Sequence, residues 1–252
     1  QRRHDLVAHE RWLFLTGMDP TPSQALEVRS VRKTYGEGEA QVVAVDGVSL
    51  TVGAGEFVAL MGASGCGKST LLHVVAGLLE GAEGEVEVFG QPMVGRSERE
   101  RTALRLKDVG VVFQDHLLVP ELTAVENVEL PLVMAGTPRA QAREQAVAML
   151  ARVGLEGLED RVPDRMSGGQ RQRVGIARAM VGGRRVLLAD EPTGNLDTDS
   201  SRAVVGLVRQ LCADGVAALV VTHDPRVAGA ADRVLHMEDG RFVEQPSAWG
   251  QW

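Results

Sequence analysis

A chain of 252 residues with 44% hydrophobic side chains can form one large α/β domain or two modest ones around a real core. Its formal net charge of −7 and isoelectric point near 5.4 argue against a protein that grips nucleic acid through a large basic face. Cys66 and Cys212 have neither metal-ligand spacing nor a disulfide framework, which suits a reducing compartment, and no apolar run approaches the roughly 18 residues that span a bilayer. Any membrane role must therefore come through a partner.

Residues 1–25 read as an N-terminal appendage, expected to be flexible. Arg2, Arg3, His4 and Asp5 precede one apolar clump, Trp12 to Leu15, which is too short and wrongly flanked for a signal peptide or an anchor; Pro20 and Pro22 follow. Met18 is a candidate start, because strand-like alternation begins only at Leu26. Leu26, Val28 and Val31 open a strand region, a Gly/Glu-rich loop follows Tyr35, and Val42 to Leu50 continues the strands. Tyr35, the only tyrosine, is a candidate platform for stacking on adenine, given what lies downstream.

The apolar run Phe57 to Met61 leads into Gly62-Ala63-Ser64-Gly65-Cys66-Gly67-Lys68-Ser69-Thr70, and Leu71, Leu72, Val74, Val75 and Leu78 then recur at helical spacing. A glycine loop between a buried strand and a helix N-terminus is a phosphate-binding P-loop: backbone N–H groups wrap the anion, Lys68 neutralises the β- and γ-phosphates, and the Ser69 hydroxyl is a Mg²⁺ ligand. Gly84 to Phe89 is a short alternating strand. Arg96 to Lys107 reads as a charged, solvated stretch without assignable chemistry.

Val109 to Phe113 reads as a buried strand ending at Gln114, and strand ends are where α/β proteins place ligand groups. From about residue 115 to 180 the pattern is helical without a strand signal, which predicts an inserted helical subdomain. Thr123 to Asn127 starts one helix. Thr137, with Pro138 at the first position, starts another whose apolar stripe is Ala142, Ala146, Val147, Leu150 and Val153. Ser167-Gly168-Gly169-Gln170 opens a third: Ser167 is a natural N-cap, and two glycines, costly at a helix start without a compensating contact, point to a second phosphate-binding surface.

Val186 to Ala189 is an apolar strand that ends in Asp190 and Glu191. In the crevice of a parallel sheet, Asp190 can hold Mg²⁺ and Glu191 can orient or deprotonate an attacking water. Leu219 to Thr222 is another such strand and ends at His223, a candidate γ-phosphate contact.

Together these motifs resemble the ATP-binding subunit of an ABC transporter, from about Leu26 to Val243 and in the family's order. Gly62 to Thr70 resembles the Walker A loop, Gln114 the Q-loop, Ser167 to Gln170 the family signature, Asp190 and Glu191 Walker B with its catalytic glutamate, Asn195-Leu196-Asp197 the D-loop, and His223 the switch histidine. Met166 stands where a leucine is usual. The resemblance implies Glu191, His223, Gln114 and Lys68 as catalytic residues, Ser69, Gln114 and Asp190 as metal ligands, and ATP and Mg²⁺ as cofactors. Tyr35, Gly62 to Thr70 and Ser167 to Gln170 would bind ATP.

The implied fold is α/β: a P-loop NTPase (RecA-like) core with a mainly parallel sheet, an N-terminal antiparallel β subdomain and an inserted helical signature subdomain. The ATP-binding domain would span 26–245, with a tail at 246–252. The resemblance further implies a head-to-tail homodimer around two Mg·ATP, an integral membrane permease as partner, no nucleic acid, and a peripheral place on the cytoplasmic face of the membrane. The insertion 36–40 and the stretch Glu126 to Leu132 are similar to the lipoprotein-release and macrolide-export branch, near the FtsE type. An FtsE-like regulatory ATPase that moves no substrate is an alternative, and a soluble ABC ATPase a further one. The apolar runs after Gln114 mark residues 115–136 as the surface that receives a short helix of the permease.

Overall fold

The computed structural model describes residues 24–36, 41–115 and 117–244. The expected appendage and tail lie outside these residues, except that Gln24 and Ala25 already belong to the first strand. That strand, β1 (Gln24–Tyr35), buries Leu26, Val28 and Val31; the odd step from 28 to 31 is absorbed by a register shift at Ser30, where φ is +48°. β2 (Val42–Gly53) pairs antiparallel with β1, three residues longer than its apolar run predicts.

β3 (Phe57–Met61) is buried at every position, as a strand covered on both faces must be. It leads through the glycine loop to α1 (Lys68–Val75). β4 (Ala82–Val88) pairs with the other edge of β1, and β5 (Gln91–Pro92) completes an antiparallel sheet of order β2-β1-β4-β5.

The stretch 96–107 is not merely solvated: it forms α2 (Glu98–Asp108), with Ser97 and Glu100 in a reciprocal capping box and Arg101 and Leu104 buried. The many charges hide a single inward stripe. β6 (Val109–Val112) follows, then α3 (Ala124–Met134) and α4 (Arg139–Arg152). α4 starts one residue later than Pro138 suggests, because Pro138 itself is extended, at ψ 135°. A 3-10 turn, Pro163–Arg165, precedes α5 (Gly168–Met180), so the described part of 115–180 is helical and without strands, as expected. β7 (Val186–Asp190), α6 (Thr198–Ala213), β8 (Ala217–Val221), α7 (Pro225–Ala230), β9 (Arg233–Glu238) and β10 (Arg241–Val243) complete the fold.

The second sheet has the order β10-β9-β3-β8-β7-β6, parallel from β9 to β6 with β10 antiparallel at the edge. Period-two alternation splits its side chains between two cores. Leu187, Ala189, Ala218 and Val220 face the cluster built with α3 to α7. Val186, Leu188, Ala217, Leu219 and Val221 face the cluster shared with α1, α2 and the antiparallel sheet. All parallel strands end on the same edge, and the loops that leave that edge carry the polar residues singled out above.

Candidate functional site

Register alone brings four of the sequence candidates together. Leu60 lies opposite Val221, Val221 opposite Asp190, and Ala189 opposite Val112, so Gly62, His223, Glu191 and Gln114 each follow one of four adjacent strand ends.

The phosphate loop is shaped by close approaches that admit only glycine. A Cβ on Gly67 would stand 2.1 Å from the Ala44 carbonyl oxygen, and one on Gly62 would stand 2.2 Å from that of Met237. Ala63, Ser64 and Gly65 form an exposed rim, whereas Cys66 and Lys68 are buried. The Lys68 ammonium donates to the carbonyls of Gly62 (2.9 Å) and Ala63 (2.7 Å) and stands 3.8 Å from Cys66 Sγ. Gly67, at φ +106°, begins α1 without a side-chain cap and without an acidic residue in the first turn, whereas α2, α3, α5 and α6 each carry a side-chain cap. The first N–H groups of α1 are thus met by no side chain of its own cap, the arrangement on which an anion could settle. Behind the loop, Gly62, Ala63 and Cys66 border a cleft with His236, Met237, Glu238 and Asp239, residues at the end of β9 that no sequence motif marks.

Ser69 Oγ donates to Asp190 Oδ1 at 3.0 Å, so the two candidate metal ligands already touch. Glu191 adopts φ +46°, the left-handed region that costs a non-glycine residue of order 1–3 kcal/mol. Its own N–H still donates to the Val221 carbonyl, extending the ladder. Its carboxylate meets His223 twice: Oε1 is 2.9 Å from Nδ1, and Oε2 accepts the His223 backbone N–H at 3.3 Å. A Cβ on Gly194 would lie 3.5 Å from Gln114 Nε2 and 3.7 Å from Glu191 Cβ, which sets Gln114 beside the Glu191–Gly194 turn.

Tyr35 is half exposed, with the Lys33 ammonium 5.0 Å from its ring centroid. It pairs with Val42, two residues before Ala44, and Ala44 touches the phosphate loop at Gly67.

The residues Ser167 to Gln170 stand apart from this cluster. Among the described residues, no hydrogen bond joins them to Gly62–Thr70. Ser167 Oγ accepts from the Gln170 N–H, and Gln170 Oε1 accepts from the Ser167 N–H, so the glutamine side chain serves its own helix. Gly169 also has an internal reason: a Cβ there would lie 2.6 Å from Ser200 Oγ, at the start of α6. Gly169 is thus accounted for without a second phosphate surface; at half-buried Gly168 a Cβ would stand 3.3 Å from Leu196 Cδ2, a tight contact with a side chain. Asp197 caps α6, and its carboxyl is held below the usual range by hydrogen bonds from the Ser200 hydroxyl and N–H.

Two residues of consequence escaped the sequence reading. Buried Asn127 accepts from the Val119 N–H and donates to the carbonyls of Val119, Leu122 and Thr123, shaping the chain that follows Gln114. His73 stands near Asp190; its signal was a place four residues after Ser69, on the same helix face.

The family model described as "ABC transporter" matches residues 45–194. The chain is 46% identical over 224 residues to the lipoprotein-releasing system ATP-binding protein LolD of Paramagnetospirillum magneticum, covering 88% of this chain and 99% of that one. It is 43% identical over 218 residues to the macrolide export ATP-binding/permease protein MacB of Photorhabdus laumondii, covering 86% of this chain but only about a third (34%) of that protein. Among solved structures, a dimeric ATP-binding cassette in a post-hydrolysis state with ADP and Pi bound is similar at a TM-score of 0.80 and 37% identity, over 90% of this chain and 100% of that one.

Proposed function

Since the chain belongs to the ABC transporter family, we propose that it binds Mg·ATP on the carboxyl edge of the β9-to-β6 sheet, hydrolyses it, and passes the resulting conformational work to a membrane permease. The observation that carries the reading is the convergence of the phosphate loop, Asp190, Glu191, His223 and Gln114 on four adjacent strand ends. Lys68 and the open start of α1 take the phosphates, and Tyr35 stacks on the base.

The oxygens of Ser69 and Asp190, 3.0 Å apart, fit Mg²⁺, a hard cation held by one or two protein ligands together with phosphate oxygens. When bound, Mg²⁺ would neutralise charge that develops on the phosphates. Glu191 orients and deprotonates the attacking water, with its carboxylate steered by His223, and Gln114 reports the γ-phosphate from the neighbouring strand end.

ATP is closed in by a second copy, whose Ser167 and Gly168 supply the missing wall. Residues 26–245 act as one ATP-binding domain, with 115–180 as its helical subdomain. Attachment to the membrane's cytoplasmic face runs through the permease; among the described residues no helix is long and apolar enough to cross a membrane. The partner's helix fits an apolar groove of about 290 Å³ lined by Leu106, Val109, Val111, Phe113, Leu130 and Met134. This widens the surface expected from residues 115–136, because α2 and β6 form one wall. Charge reversal at exposed Glu121 tests this docking, whereas Glu129, midway along α3, is buried and unsuited to it.

Mg²⁺-dependent release of phosphate from ATP by the purified chain, lost in Lys68→Ala together with nucleotide binding, is the expected result. Full activity in that variant would sink the reading.

A further inference from the structure

We propose that His73 is a positioning residue for the metal-binding carboxylate, joining Asp190 to the segment that carries Gln114; the inference rests on the Mg·ATP reading above. His73 follows Ser69 by four residues on α1, so both project from one helix face toward the end of β7. They flank the two carboxylate oxygens of Asp190 separately: Ser69 Oγ is 3.0 Å from Oδ1, and His73 Nε2 is 3.9 Å from Oδ2.

That nitrogen is shielded from solvent and has no hydrogen-bond partner, a condition native proteins rarely leave uncompensated. The carboxylate oxygen in front of it is an acceptor that a neutral imidazole protonated on Nε2 can reach. An N–H···O bond spans about 2.9 Å, so closure requires a shift of only about 1 Å, within reach of a small rotation of the carboxylate. The ring also packs against Phe113, with centroids 5.9 Å apart and planes inclined by 47°. Phe113 immediately precedes Gln114 and lines the apolar groove. One side chain therefore meets both the carboxylate that would hold Mg²⁺ and the segment that would feel the partner. Outer-shell donors of this kind fix the orientation of a ligand and tune its metal affinity.

The alternative is a histidine that only fills space in the last turn of α1. The test separates donor from shape, using the full-length chain with His73→Leu, which keeps the volume, and His73→Gln, whose amide nitrogen can replace Nε2. Mg²⁺ is titrated into protein with ATP present, and ATP binding is measured separately in a chelator. His73→Leu is expected to weaken apparent Mg²⁺ affinity about tenfold with metal-free ATP binding unchanged, and His73→Gln to restore most of the loss. Should His73→Leu fail to fold by its circular dichroism melt, His73→Asn, whose amide falls short of Oδ2, is expected to show the same loss. Wild-type Mg²⁺ affinity in the folded donor-less variant, an equal loss in His73→Gln, or loss of metal-free ATP binding would each overturn the proposal. Asp190→Asn is the control for the underlying reading: if it leaves Mg²⁺ dependence intact, the assignment of the metal site fails, whatever His73 does.

Discussion

Glu191 combines a left-handed backbone with a carboxylate held by His223, an arrangement that sequence spacing alone does not announce. Glu191→Gln keeps the side chain's shape while removing its basicity. Nucleotide binding, which depends on the phosphate loop, is expected to persist, and hydrolysis to fall by about 10²–10⁴, read as single-turnover phosphate release. Unchanged turnover would remove Glu191 from its role. The two cysteines provide a second contrast. Cys66, though buried, borders the cleft behind the loop and lies 3.8 Å from the Lys68 ammonium, whereas burial within α6 pushes the Cys212 thiol up to about 11. Maleimide is expected to modify Cys66 alone, to block activity, and to be excluded by prior Mg·ATP; mass spectrometry that finds Cys212 labelled first would contradict this.

Among the elements, β3 shows how one carboxylate steadies the strand that feeds the phosphate loop. Asp232 accepts from the Arg209 guanidinium and from the Phe57 N–H at the start of β3. These bonds, the arginine's first, hold its carboxyl below the ordinary range. A folded value below the unfolded one, about 3.9, stabilises the protein fully above that pH and loses its effect as pH falls through the folded value. Asp232→Asn is therefore expected to lower the melting temperature near neutral pH, by a deficit that shrinks as pH falls below the unfolded value. A deficit independent of pH would assign the effect to packing. α3 illustrates the same interplay: its start at Thr123 was legible in sequence, but the role of Asn127 was not, since three of its bonds go to the irregular chain before the helix.

The whole molecule keeps the starts of α1 and α5 apart. α1 packs against β1, β2, β7 and β8, while α5 packs against α3, α4, α6 and β6. On the proposed reading, one chain presents half of each of two sites, which a head-to-tail pair would complete. Glu191→Gln with Mg·ATP is expected to elute at twice the monomer mass, and adding Gly168→Arg to return it to monomer while its intact loop still binds ATP. A monomer under every condition would refute the pairing.

What the sequence by itself determined is the set of local devices: the glycine loop with its strand and helix, the helix starts at Thr123 and Ser167, and the apolar strands with Asp190 and His223 at their ends. Each depends on neighbours a few residues away, so periodicity and spacing carry it. Only the tertiary structure decided that β3 lies between β9 and β8, that Gly169 is small for Ser200, that Glu129 is buried, and that His73 stands between Asp190 and Phe113. Those contacts join residues far apart along the chain, and the strand order β9-β3-β8-β7-β6 that creates them is not chain order. It is chosen by how the two faces of the sheet bury their apolar surface, a property of the folded whole.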